Sequence, residues 1–511
     1  MQRLLSISIK TNSSVILKRI KLKKKRNFFL CFFACLVFYF LYKATPLTDP
    51  HSPLFHNVIV HLDLKGAPPK LVYLQTNFLR FLTMFRVNAI LVEYEDMFPF
   101  TAKLINVSSP YCYGKLTLKR FFDAVFFSNM DVIPLIQTFG NLEYLLKHPE
   151  LAHLRENPGS ADTICPNHPG SMKVLKNVIV QIMDFHKKLG PIQYVHIGGN
   201  EALHINECDR CRKTNMSRLA QYQKHIQTVV SIIKEHSPNT KVMMWDNLLR
   251  GANKDEIVKL PVEIVVWEGE PEVKATPSEL TELMTHYNDY WVASSYKCAD
   301  GEASLFPLME QRFKNHYNWM RVVASMPALD RPKGIILTGP ARYRHSAPVC
   351  ELLPISIPSI ALNLVTVTSF DAQINLNRTK DWKQYYFEHI HPYLGNYINI
   401  ESLFSLFKRD GYCHAQYLGT EIADSLRLFY GIEDGLKNYD VQGYPGNKTE
   451  LFTKMNNTIE RYRTKVLTDL LEVFKEEVAK DYLSYFVEHL NQILNERMIQ
   501  EEKLLHLNNT M

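Results

Sequence analysis

"YVHIGGNEAL", residues 194 to 203, runs a β-like stretch into two glycines and then sets an amide, Asn200, beside a carboxylate, Glu201. The fold follows from where such a run recurs. Short β-rich runs stand at 58–64 ("VIVHLDL"), 89–95 ("AILVEYE") and 132–138 ("VIPLIQT"). After 194–199, others follow at 241–246, 263–268, 290–296 and 334–339. Between them, pieces such as 69–85 and 173–190 space their apolar residues near 3.6, the period of a helix with one buried face. Eight strand–helix units predict an α/β fold, a (β/α)8 TIM barrel over residues 58–368. The rival open sheet seldom repeats eight even units, and no GxGxxG follows the first run.

In such a barrel the C-terminal ends of all strands share one mouth, where enzymes of this fold carry their chemistry. The ends here collect acids and aromatics: Asp63, Glu93, Glu95, Gln137, Asn200, Glu201, Trp245, Asp246, Trp267, Glu268, Tyr296 and the pair Arg342-Tyr343. Indole faces stack on the apolar faces of sugars, and carboxylates accept their hydroxyl hydrogen bonds. Glycosidic cleavage further needs a proton donor and a stabiliser for an oxocarbenium-like centre. A phosphate site would want a glycine-rich nest or a lysine cluster, and neither is present. His61, Asp63 and His196 are too few for a metal-dependent hydrolase. No metal and no cofactor is expected.

The formal charge of +7 belongs to the N-terminal tail. Residues 1–43 hold ten Lys/Arg and no acid, leaving 49 Lys/Arg against 52 Asp/Glu, so no nucleic-acid footprint is expected. Residues 1–27 read as a basic cytosolic tail, and 28–42, "FFLCFFACLVFYFLY", as a signal-anchor helix that crosses the membrane once. Fifteen residues span roughly 22 Å, short enough to favour the thinner early secretory membranes and the Golgi. A cleaved signal peptide is the rival. Residues 43–57 then form a lumenal stem, and six sequons, at Asn106, Asn215, Asn377, Asn447, Asn456 and Asn508, agree with a type II protein whose body is lumenal. Seven cysteines lie beyond the span, so at least one is unpaired within the chain. Cys208-x-x-Cys211 lacks a second pair at zinc-site spacing and reads as a disulfide or a plain structural pair. Residues 369–511 form a helical C-terminal domain, expected to pack on the barrel or on a second subunit as a homodimer.

Two barrel families explain "NE". In the large clan of retaining glycosidases the pair also closes the fourth strand, but a nucleophilic Glu ends strand seven. Here that end carries Ser294 and Ser295, and Glu302 is too far along. "HIGGNE" resembles instead the His-x-Gly-Gly-Asp-Glu signature of glycoside hydrolase family 20, the β-N-acetylhexosaminidases, with Asn200 for the Asp. "HLDLKGAPPK" (61–70), "EYEDMFPF" (93–100), "PLIQTFGNLEYLLKHPELAHLRE" (134–156), "VMMWDNLLR" (242–250) and "GIILTGPARYRHSAPVCELLPISIPSIA" (334–361) are similar to the hexosaminidase D branch.

The resemblance implies substrate-assisted, retaining cleavage of terminal β-linked GlcNAc or GalNAc from glycans. The sugar's own acetamido oxygen attacks the anomeric carbon, so no enzyme nucleophile is needed. Glu201 would be the acid/base, and Asn200 would orient the acetamido group. Asp63, Glu93, Glu95, His196, Trp245, Asp246, Trp267, Tyr296 and Tyr343 are candidates for substrate binding. Gly198 and Gly199 would let the chain turn so that both adjacent side chains aim inward. Asn200 carries no charge to offset the developing cation, and it removes a neighbour that would raise the pKa of Glu201. Four more positions depart from the branch: Asn141 for His, Asn247 for Asp, Pro340 for Trp and Arg344 for Asp. The alternative is a catalytically impaired relative that binds N-acetylated sugars or partners an active paralogue.

Overall fold

The computed structural model describes residues 54–199, 202–287, 289–370, 381–395, 399–400, 415–417, 419–438 and 447–508. Asn200, Glu201 and the expected anchor at 28–42 lie outside them. Eight parallel strands close a barrel: β1 (Asn57–Asp63), β2 (Ala89–Glu93), β3 (Asp131–Leu135), β4 (Tyr194–His196), β5 (Lys241–Trp245), β6 (Glu263–Trp267), β7 (Tyr290–Ser295) and β8 (Gly334–Thr338). Closure is direct, with Val58 of β1 opposite Ile335 of β8. The expected strands are all present.

The strand period of two sorts side chains into two cores. Ile59, Leu91, Ile133, Leu135, Met243, Val265, Trp291 and Ile336 point inside and fill the barrel. Their neighbours, among them Val60, Val92, Val242, Ile264 and Leu337, face the surrounding helices. Each such fully buried aliphatic side chain contributes about 1.5–3 kcal/mol. One step further along the same inward rows, apolar residues give way to His61, Glu93 and Trp267. The alternation that builds the core thus also aims the polar groups at the mouth.

Long helices follow most strands: α1 (Lys115–Phe127) after β2, α2 (Pro169–Lys187) after β3, α3 (Arg218–His236) after β4, α4 (Pro277–His286) after β6, α5 (Met309–Ala324) after β7 and α6 (Leu353–Ser369) after β8. After β1, helical turns run through Leu71–Tyr73, Leu74–Leu79 and Arg80–Leu82. The eighth expected helix is missing. Between β5 and β6 the chain makes only short 3-10 turns, Asn247–Leu249 and Lys254–Glu256. Gly251, in the left-handed region at φ 79°, and Pro261 break that connection, which carries no amphipathic period.

The C-terminal region is helical, as expected, with a small ribbon, Asn399–Ile400 against Ala415–Gln416, added to it. Helices α7 (Thr420–Asn438), α8 (Lys448–Val473) and α9 (Glu476–Asn508) pack together. They join the barrel at the loop after β1, where Lys70 N–H donates to the Val473 carbonyl at 2.6 Å. Lys70 Nζ donates to the Leu471 carbonyl at 2.5 Å. Among the described residues, no helix is long and apolar enough to cross a membrane.

Candidate active site

The turn that ends β4 is held from every side. Gly198 and Gly199 both sit at positive φ, 68° and 84°, where a side chain would be strained. A Cβ on Gly198 would come within 2.0 Å of Gln137 Oε1. The His196 ring is fully buried, and its Nδ1 accepts the Gly198 N–H at 3.0 Å. Burial pushes His196 down to about 3, so the ring is neutral and serves as an acceptor. Trp245 packs on it at 4.3 Å between ring centroids. The Trp245 N–H bonds to the Gly198 carbonyl at 2.9 Å, and Thr138 Oγ1 donates to the Ile197 carbonyl at 2.7 Å. The backbone is therefore held in place up to Gly199.

A cleft of about 170 Å³ opens at this end of the barrel. Of the residues expected there, Glu93, Gln137, Trp245, Trp267, Arg342 and Tyr343 line it. Trp267 is 41% exposed although its Nε1–H is already bonded to Thr338 Oγ1 at 2.9 Å. That bond ties the indole to β8 while much of the side chain stays open to the cleft, as a sugar-stacking residue requires.

The other candidates stand behind that surface. Asp63 Oδ2 accepts the Ala341 N–H at 2.7 Å, which ties β1 to the loop after β8. Tyr296 is fully buried and its hydroxyl donates to the His61 carbonyl at 2.8 Å. Asp246 pairs with Arg250 and faces a separate cavity with Leu249 and Glu268. Glu95 is buried and engaged by Lys65 and His345. These side chains position the mouth and do not line it.

Lys65 is the residue that sequence reasoning passed over. It is buried, and its ammonium lies 3.2 Å from Asp63, 3.3 Å from Glu93 and 3.1 Å from Glu95. Burial alone would lower its pKa, but the three carboxylates outweigh this and hold it well above the usual lysine value. Burial likewise works against the Glu93 carboxylate, yet Lys65, His61 at 3.2 Å and a 2.8 Å hydrogen bond from Gln137 keep it ionised, far below its ordinary pKa. His61, Lys65 and Gln137 all line the cleft, as do Arg342 and three of the four departing positions, Asn141, Asn247 and Pro340. Arg344, the fourth, is exposed and pairs with Glu302.

A second ionic layer ties the loops after β2 and β8. His345 bonds Glu95 through Nδ1 at 2.8 Å and faces Asp96 through Nε2 at 3.3 Å, while Lys147 reaches the same Asp96 at 2.9 Å. Burial works against the imidazolium, but Asp96 and Glu95 raise His345 to about 9. A folded pKa above the unfolded value of about 6.5 means that the native state binds this proton more tightly. Its stabilisation is complete below about pH 6.5 and is lost as the pH rises through about 9. We expect the urea midpoint to fall between pH 7 and pH 10. In His345→Gln the fall should be markedly smaller, the two proteins converging at the alkaline end; parallel curves would refute the assignment.

Comparison with known proteins defines the class. Residues 146–334 match the description "Glycosyl hydrolase family 20, catalytic domain". The chain belongs to this family. Its relatives include hexosaminidase D of Bos taurus, 34% identical over 331 residues that make up 62% of this chain and 94% of the bovine protein. Hexosaminidase D of Homo sapiens is also 34% identical, over 63% of this chain and 68% of the human one. Among solved structures, a β-N-acetylhexosaminidase from Bacteroides fragilis is 14% identical with a TM-score of 0.47, covering 66% of this chain and 69% of that one.

Proposed function

We propose that the chain is a β-N-acetylhexosaminidase that removes terminal N-acetylhexosamine, GlcNAc or GalNAc, from glycans. The observation that carries this reading is the cleft itself. Trp267 and Trp245 line one cleft together with the buried charges Lys65 and Glu93, at the barrel end where β4 leads toward Glu201. A pyranose offers apolar faces to the first and hydroxyls to the second. In this reading Glu201 protonates the leaving oxygen and then activates water, while the acetamido oxygen of the substrate attacks the anomeric carbon. Asn200 hydrogen-bonds the acetamido group without supplying charge. Asn141, Asn247 and Pro340 line the same cleft and so bear on substrate preference.

The basic tail and residues 28–42 anchor the protein in an early secretory membrane, the Golgi being the favoured compartment, with the barrel in the lumen. The six sequons support this placement, and the Cys298–Cys350 disulfide, joining the loops after β7 and β8, suits an oxidising compartment. The apolar faces of the C-terminal helices turn toward one another and the barrel, and Tyr485, Met498 and Ile499 remain exposed on α9 for a second copy.

The test is hydrolysis of aryl β-GlcNAc and aryl β-GalNAc by the native protein and by Glu201→Gln. Native turnover that falls by about 10²–10⁴ in the variant supports the reading. Equal turnover in both would remove Glu201 from the mechanism.

A further inference from the structure

Cys208 and Cys211 form no disulfide with each other. Both are free, and a third free thiol, Cys165, meets them from the loop between β3 and α2. Glu156, from the same loop, completes a set whose ligand atoms all lie within 4.8 Å of one another. We propose that Glu156, Cys165, Cys208 and Cys211 bind a zinc ion that pins the segment following Glu201 to the loop after β3.

Three of the separations are near the edge lengths of a coordination tetrahedron. Zinc–sulfur bonds of about 2.3 Å at the tetrahedral angle put two sulfurs about 3.8 Å apart, and a zinc–oxygen bond of about 2.0 Å puts oxygen and sulfur about 3.5 Å apart. Cys165 Sγ lies 3.5 Å from Cys208 Sγ and 3.6 Å from Cys211 Sγ. Cys211 Sγ lies 3.1 Å from Glu156 Oε2. A disulfide would need sulfurs about 2.05 Å apart and would leave one of the three thiols without a partner.

Hydrogen-bond donors stand around three of the four ligand groups. Glu156 is fully buried, and no Lys, Arg or His pairs with it among the described residues. Its Oε1 accepts the N–H groups of Glu207 and Cys208 at 2.8 and 2.9 Å, which leaves Oε2 aimed at the thiols. A buried carboxylate without a cation is costly, and a divalent ion at this point removes that cost. Donors also stand around the sulfurs. The Cys211 N–H approaches Cys208 Sγ at 3.3 Å, and Asn167 Nδ2 approaches Cys211 Sγ at 3.2 Å. Outer contacts of this kind orient metal-bound thiolates. Three sulfurs and one carboxylate, with no open position, suit a structural zinc.

The consequence lies in the chain order. Cys208 follows Glu201 by seven residues, so the ion would fix the far end of the loop whose near end is held at Gly198 and Gly199. That consequence rests on Glu201 being the acid/base; the site itself does not.

The test is metal content of the purified full chain by mass spectrometry. One zinc per chain is expected, lost in Cys165→Ser and Cys211→Ser and retained in Cys112→Ser. Cobalt exchanged into the native protein should give an intense thiolate-to-metal absorption that Cys211→Ser abolishes. Should the cysteine variants fail to fold, Glu156→Gln keeps the shape of the side chain and should release zinc to a chelator at least about tenfold more readily. Metal-free native protein, or a disulfide between any two of Cys165, Cys208 and Cys211, would overturn the proposal. Because zinc is counted without an activity assay, its absence is distinct from a failure of the glycosidase reading; loss of hydrolysis on chelation then tests the link to Glu201.

Discussion

Asn200→Asp should raise the turnover of aryl β-N-acetylhexosaminides by about 10²–10³, the usual worth of one charge-aimed contact to a developing ion. As the acetamido oxygen attacks, positive charge spreads over the forming oxazolinium ring. An amide at position 200 meets that charge with a dipole, a carboxylate with a full opposite charge. The gain belongs to the transition state, so it should appear in kcat with KM little changed. A second signature accompanies it. A carboxylate beside Glu201 opposes ionisation of the acid, so the alkaline limb of the pH–rate profile should move up in the variant. The backbone leading to this pair is held at Gly198, bonded to His196 and to Trp245. Turnover in Asn200→Asp no greater than native would show that Asn200 does not face the acetamido group.

The barrel was legible because a strand writes its inward face into every second residue. Ile59 and His61, or Leu91 and Glu93, mark both the core and the mouth along one row. Where the connection lacked a period, between β5 and β6, counting units predicted a helix that Gly251 and Pro261 do not allow. The site was legible in its aromatic part: Trp245, Trp267 and Tyr343 reach the cleft from strand ends or just beyond. The acids were harder to sort, since a strand-end carboxylate can line a mouth or tie loops behind it. Asp63 takes the Ala341 N–H, 278 residues away, which no local pattern announces, and Asp246 is drawn off by Arg250, four residues on. The thiol cluster escaped for the same reason. Cys165 and Cys211 are 46 residues apart, and Glu156 has no place in a cysteine-spacing motif. His61 and Lys65 lie inside the block 61–70 that carries the family resemblance, yet nothing local sets them apart from structural residues.

Lys65→Met should cost about 3–5 kcal/mol of stability, the largest effect expected of any single change at the mouth. The substitution keeps most of the volume and deletes the charge. Asp63, Glu93 and Glu95 would then share a buried site with no central cation, with His61 left beside Glu93 and His345 beside Glu95. Carboxylates so placed must either repel one another or take up protons, and both outcomes lower the free energy gained on folding at neutral pH. Urea unfolding at pH 7 measures the loss. Protonation offers partial relief, so the deficit should shrink as the pH is lowered toward 5. The double variant Lys65→Met/Glu93→Gln should recover part of the loss, because it removes one of the stranded charges and leaves an amide that can still accept from Gln137. An equal loss in the single and double variants would mean that packing around the Lys65 stem matters more than its charge. The outcome also bears on specificity. Lys65 and Glu93 both reach the cleft, so a pair held this firmly presents fixed charge to a sugar hydroxyl, with little reorganisation left to be done when the sugar arrives.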